Sequence, residues 1–268
     1  MLYISKLSKT MTVHASKKTT CLFAGLLLLF CTYNTRAQAT MPEMVLVDGG
    51  TFVMGSSDKK AEDEEKPAHK VTVSSFYIAK HEVTVAQYKL FCKETKRKLP
   101  DAPKWGFVDN HPIVNVSWND AKAYCDWLAK KTSKPYRLPT EAEWEFAAKG
   151  GTKSKNTKFA GSNDIDQVAW YDKNAKQQTQ PVGKKAPNEL GLYDMTGNVW
   201  EWCNDWFKDD YYGHSPAQDP PGASKGTMKS QRSGSWVNYN EDNRITIRIS
   251  NLVDDTGHFA GFRVAMSK

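Results

Sequence analysis

NELGLYDMTGNVWEWCNDW, residues Asn188 to Trp206, is the densest stretch of the chain: glycines, four carboxylates, the pair Asp194 and Glu201 among them, and four aromatic residues share nineteen positions. Such a run needs a tightly specified backbone, because glycines mark turns and large aromatic rings demand a core to enter. Two readings of it stand side by side. In one, the carboxylates of Asp194 and Glu201, joined by main-chain oxygens between them, surround a hard cation such as calcium. In the other, Asp194 makes an Asx-type turn and Trp200 and Trp202 fill the core.

Upstream, three helices carry readable start signals. Thr84 can cap a helix through about Glu94, with Tyr88 and Phe91 on one face. Ala121, Tyr124, Cys125 and Leu128 repeat at helical spacing behind the candidate caps Ser117 and Asn119. Thr140-Glu141-Ala142-Glu143 is a capping box after Pro139, closed by Gly150-Gly151, so Glu143 has a structural task. Met44 to Phe52 reads as two short strands around a tight Gly-Gly turn, Asp58 to Lys70 as a charged loop, and Val71 to Ile78 as one strand. Beyond the third helix, short strands and long ordered loops fit best. With 268 residues, 40% of them hydrophobic, the chain can bury one sizeable core. There is no internal repeat, low-complexity segment or long linker, which points to one mixed α+β domain from residue 40 to 268.

Residues 1–39 read differently. Lys6, Lys9, Lys17 and Lys18 precede an apolar run from Cys21 to Phe30, and Ala37-Gln38-Ala39 offers a small-x-small cleavage site, the pattern of a signal peptide. The apolar run is shorter than the roughly 20 residues that span a bilayer. Met11 is a second candidate start. Export to the periplasm or exterior follows, with membrane contact only in passing. Cleavage removes five positive charges and no acidic ones, lowering the formal charge from +7 to +2, so a nucleic-acid partner is not expected. Cys92, Cys125 and Cys203 remain and allow at most one disulfide.

Generic catalytic motifs are missing. No Walker loop, nucleophile elbow or HExxH pair occurs, and His69, His81, His111, His214 and His258 lack the spacing of a metal-binding pair. Near the C-terminus, Arg232-Ser233-Gly234-Ser235-Trp236 precedes Arg244 and Arg248; these arginines either hold a peptide or make structural ion pairs.

Taken in order, GGTFVMG (Gly49 to Gly55), EVT (Glu82 to Thr84), HPIVNVSW (His111 to Trp118), RLPTEAEWE (Arg137 to Glu145), GLYDMTGNVWEW (Gly191 to Trp202), GSW (Gly234 to Trp236) and GFR (Gly261 to Arg263) resemble the sulfatase-modifying-factor, or formylglycine-generating-enzyme, family. The resemblance implies a compact fold similar to C-type lectins, poor in regular structure. It also implies a calcium held by Asp194 and Glu201 side chains with the main-chain oxygens of Gly197 and Val199, and a substrate groove marked by Trp200, Ser235, Trp236, Asn238, Asn243, Arg244 and Arg248. Family members that make formylglycine bind copper(I) through two cysteines, three and eight residues after the serine of the GSW block. Here those positions are Asn238 and Asn243, which supply no thiolate, so copper is not expected. Arg232-Ser233-Gly234 also departs from the usual Arg-Gly-Gly.

The family then implies three roles. The first is a non-catalytic binder of a peptide segment or envelope protein, like cysteine-less relatives in gliding-motility and secretion machinery. The second is a copper-independent oxidase of the pyoverdine-synthesis type. Relatives in ergothioneine synthesis add a helical domain for which the stretch before Met44 leaves no room. The third, glycan or peptide recognition by a lectin-like surface, merges with the first. N-terminal sequencing of the exported protein should begin at Thr40; a chain still carrying Lys17 and Lys18 would show that residues 1–39 are no cleaved leader.

Overall fold

The computed structural model describes residues 41–268, so the leader reading lies outside the described residues. Of these, residues 42–268 form one compact α+β body. It holds three small sheets. The first runs β1 (Met44–Val47), β4 (Phe76–Ala79), β10 (Ala265–Ser267), β5 (Tyr136–Arg137) in spatial order, all antiparallel. The second pairs β2 (Gly50–Met54) with β3 (His69–Val73). The third runs β8 (Ile249–Leu252), β7 (Met228–Arg232), β6 (Trp200–Trp206), β9 (Ala260–Gly261), with β9 parallel to β6.

Two strand expectations are corrected. Met44 to Phe52 is not a hairpin: β1 pairs with β4 while β2 pairs with β3 in another sheet. The chain changes sheets at Gly49, where a Cβ would lie 2.6 Å from the Val73 carbonyl oxygen, closer than any side chain tolerates. Val71 to Ile78 is likewise two strands. They break at Ser74 and Ser75, whose main-chain and hydroxyl groups bond Asp219 and Gly49 instead of a ladder.

The helices start where their caps are. α1 (Val85–Thr95), α2 (Trp118–Thr132) and α3 (Glu141–Ala148) each begin with a complete capping box, at Thr84 with Gln87, Ser117 with Asp120 and Thr140 with Glu143. The apolar faces of α1 and α2 meet through Tyr88, Phe91, Tyr124 and Phe262, whose rings pack edge to face or stacked. Cys92, Cys125 and Cys203 are buried and unbridged.

α3 differs from both, since all eight of its residues are buried although three are glutamates. Each carboxylate is matched. Glu141 takes Arg248 through two bonds of 2.9 and 2.6 Å, Arg232 at 3.1 Å and the Ser230 hydroxyl at 2.9 Å. Glu145 takes Arg232 at 2.6 Å, Lys149 at 2.6 Å and the Gly55 amide at 2.8 Å. Glu143, nearer the surface, pairs with Arg137. Arg232 is completely buried between Glu141 and Glu145. Removing one member of such a lattice strands a charge without water, which costs about 3–5 kcal/mol, whereas a partly exposed pair is worth about 0–1 kcal/mol. Arg232→Met should therefore lower unfolding free energy in urea by at least 3 kcal/mol, and Arg137→Ala by about 1; equal losses would remove α3's lattice from its central place.

Candidate functional site

The stretch from Gly191 to Trp202 does what its composition asks. Gly197 sits at φ +78°, and a Cβ there would lie 2.3 Å from the Trp170 carbonyl oxygen, so only glycine lets the segment dock. Trp202 is buried and its indole N–H donates to the Val116 carbonyl. Asp194, at φ +54°, turns its carboxylate inward and accepts the Gly183 amide at 2.7 Å through Oδ2. The Asx-type turn is corrected, since Asp194 bonds Gly183 and not its own backbone two residues on; the tryptophans in the core and a carboxylate aimed into the protein are what the structure shows.

Around Asp194 the structure assembles an imbalance of charge. Glu201 is wholly buried and is gripped by Arg263 at 2.6 and 2.7 Å, with the Trp144 indole N–H at 2.8 Å. Glu82, also buried, accepts only the Asn198 amide at 3.2 Å through Oε2. Oε1 of Glu82 and Oδ1 of Asp194 have no partner. Burial, then repulsion from Asp194 and Glu201, pushes the Glu82 carboxyl well above the usual range. Burial pushes Asp194 up to about 6 against the opposing pull of the Gly183 amide and Arg263.

Three buried carboxylates thus share one guanidinium, and two carboxylate oxygens are unspent. A divalent cation fits that deficit, since calcium takes carboxylate and main-chain oxygens together. Among the described residues no three acidic, histidine or cysteine side chains are grouped to hold a metal alone, so main-chain oxygens are needed. The expected set of Asp194, Gly197, Val199 and Glu201 gains a neighbour in Glu82, and Glu201 enters with one oxygen already saturated. Ser233, at φ +97°, adds its hydroxyl to the Gly197 carbonyl at 3.1 Å, and so ties the departure from Arg-Gly-Gly to this centre. Glu82 and Arg263 were readable only as motif members. The signal in Arg263 is a charge inside the apolar run AGFRVAM, which must be paired if buried.

The groove residues divide. Trp200, Asn238 and Arg248 line a recess of about 430 Å³ with Phe207 and Ile247, and Glu62, Glu64, Asp209 and Asp242 stand among its walls. Asn238 Oδ1 accepts both the Trp200 indole N–H at 2.9 Å and the Ser235 hydroxyl at 2.6 Å. Asn243 donates to the Tyr239 carbonyl at 2.7 Å and reaches the Asn238 carbonyl at 3.4 Å. The two asparagines that replace the expected cysteines therefore stand close, each held by separate partners, and Oδ1 of Asn243 is buried without one. Amides are poor ligands for copper(I), and the three described thiols are buried and pushed up by burial, far from the thiolate form. The donors present do not fit copper.

Three expectations need correction. Arg248 is pinned by Glu141 and Arg244 by Glu65 at 2.5 Å, so neither guanidinium is offered to a peptide. Ser235 and Asn243 are fully buried and neither faces the groove. Trp236 lines a different recess, with Trp105 and His258.

Residues 30–268 match the family described as the Sulfatase-modifying factor enzyme 1-like domain. A formylglycine-generating enzyme of Thermomonospora curvata is 33% identical over 288 residues, spanning 83% of this chain and 92% of the relative. A chaperone protein LppX of Paenibacillus barcinonensis is 32% identical and covers 84% and 90%. Of solved structures, PvdO from Pseudomonas aeruginosa superposes with a TM-score of 0.76 at 31% identity, covering 85% of this chain and 95% of its own. Treponema denticola variable protein 1 does so with 0.74 at 28% identity, covering 84% and 95%. Because Asn238 and Asn243 stand side by side, the double variant Asn238→Cys, Asn243→Cys should bind one copper(I) per chain by competition with a chromogenic chelator, and the unaltered protein none. Stoichiometric copper on the unaltered protein would refute the ligand argument.

Proposed function

Because the chain belongs to the sulfatase-modifying factor enzyme 1-like family, we propose that it is an exported, non-catalytic member, which offers the Trp200 groove to a peptide segment of an envelope protein. The observation that supports this reading is the pair of amides: Asn238 and Asn243 occupy the two positions where a copper(I) enzyme needs thiolates, Asn238 bonding Trp200 and Ser235 and the Asn243 amide N–H bonding the Tyr239 carbonyl. The recess keeps an aromatic and aliphatic floor while losing its reactive ligands, which suits recognition without chemistry. The relative called a chaperone protein is compatible with such a role.

The likeness to PvdO favours a second reading, an oxidase of the pyoverdine-synthesis type that uses the same groove without copper. We further propose a structural calcium at Asp194, Glu201 and the main-chain oxygens of Gly197 and Val199, with Glu82 beside it. The ion would supply only charge balance there, relieving the two carboxylates that burial penalises.

The purified mature protein is incubated with copper(I), oxygen and a sulfatase-type cysteine peptide, and the peptide is followed by mass spectrometry while bound copper and calcium are quantified. The peptide should stay unchanged. An aldehyde would overturn the binding reading, and oxygen uptake without copper would move the assignment to the oxidase. Separately, calcium at 100 times its dissociation constant should stabilise the chain by about 2.7 kcal/mol, and Asp194→Asn should abolish that response. No calcium-dependent shift in melting temperature would dismiss the ion.

A further inference from the structure

A second recess, of about 810 Å³, lies beside Trp236. Its aromatic wall is rigid. Trp105 and Trp236 meet at 87° with ring centroids 5.2 Å apart, His258 packs 5.6 Å from Trp236, and the Trp236 indole N–H is tied to the His258 carbonyl at 2.9 Å. Trp105 is only half-buried. Beside Ala102 and Pro103, the remaining lining is polar and mixed: Asn115, Asp172, Lys104, Lys176 and Gln177. Every one of these residues lies outside the strands and helices.

Three lining residues, Asn115, Lys176 and Gln177, hold left-handed backbone at φ +60°, +56° and +58° although none is glycine. Such conformations persist where surrounding structure over-determines them, and they gather at ligand sites. The Asn115 side-chain amide donates to the Asp101 carbonyl at 2.8 Å, and its Oδ1 is left as an acceptor on a residue that lines the recess. Acceptors on Asn115 and Asp172 thus stand among donors on Lys104, Lys176 and Gln177. A hydroxyl donates and accepts at once, so a polyol matches such a mixture. A peptide main chain wants a strand edge to pair with, and none lines this recess. The aromatic faces add a surface for the C–H face of a pyranose ring. Two exposed ammonium groups against one carboxylate then select an acid.

We propose that this recess is a carbohydrate subsite for an acidic saccharide, a uronic-acid oligomer, with one sugar ring against Trp105 and its carboxylate at Lys104 and Lys176. The site is separate from the Trp200 groove and stands or falls independently of the function proposed for that groove.

The test is calorimetric titration of the mature protein with tetragalacturonate, with neutral cellotetraose and an oligolysine peptide as comparison probes. Tetragalacturonate should bind at least tenfold more tightly than cellotetraose, and oligolysine should not bind. Trp105→Ala should weaken tetragalacturonate at least tenfold. The double reversal Lys104→Glu, Lys176→Glu, confined to exposed positions, should erase the preference for the acid without changing the melting temperature. It carries the test alone if Trp105→Ala does not fold. Failure of tetragalacturonate to bind, equal affinity for the neutral oligomer, binding of oligolysine in its place, or a preference that survives the double reversal would each overturn the assignment.

Discussion

The fold depends on how helix α3 buries three glutamates. Ionised carboxylates enter a protein interior only when fully paired, and Glu141 and Glu145 meet that demand with two arginines, a lysine, a hydroxyl and a main-chain amide. The partners come from far along the chain, so the lattice fixes more than the helix. Arg232 ends β7, and six residues on the chain reaches Asn238, which lines the groove and is held by the buried Ser235 hydroxyl. Arg248 brings the start of β8 to the same place. The position of the groove therefore follows from a buried charge network that never touches a ligand.

The cluster at Asp194 obeys the same rule with the opposite outcome. There, one guanidinium faces three carboxylates, and two oxygens are without partners. Chains seldom leave such a deficit uncompensated, and the proposed calcium is one way to meet it. The groove shows a third solution, in which two amides stand where two thiolates serve the copper enzymes of the family, Asn238 held by Trp200 and Ser235 and Asn243 by the main-chain carbonyls of Tyr239 and Asn238.

What the residues disclosed followed the range of the interactions. Capping boxes act within four residues, so the starts of α1, α2 and α3 were legible at Thr84, Ser117 and Thr140, whereas the single-turn helix Ile165–Val168 behind Asp164 was not. The helical spacing of Ala121, Tyr124, Cys125 and Leu128 likewise predicted four buried positions. The break between β3 and β4 was hidden, because it is set by Asp219, 145 residues away. The fates of Arg244 and Arg248 were hidden too, since their partners Glu65 and Glu141 lie more than 100 positions upstream. In the candidate site, the motif order located Asp194, Trp200 and Asn238, but Glu82 emerged only when Asn198 was seen to bridge to it.

The pairing of β10 with both β4 and β5 has a consequence for how the chain is made. A polypeptide leaves the ribosome or a secretion pore from its N-terminal end, so β4 and β5 emerge with the edge between them exposed. That gap is filled only when Ala265–Ser267 arrives. Until then the nascent chain presents two unsatisfied strand edges, which is the form most open to pairing with the wrong neighbour. Vectorial synthesis therefore makes Ala265–Ser267 the latch of the first sheet, and the interval before that strand appears is when a holdase would matter most.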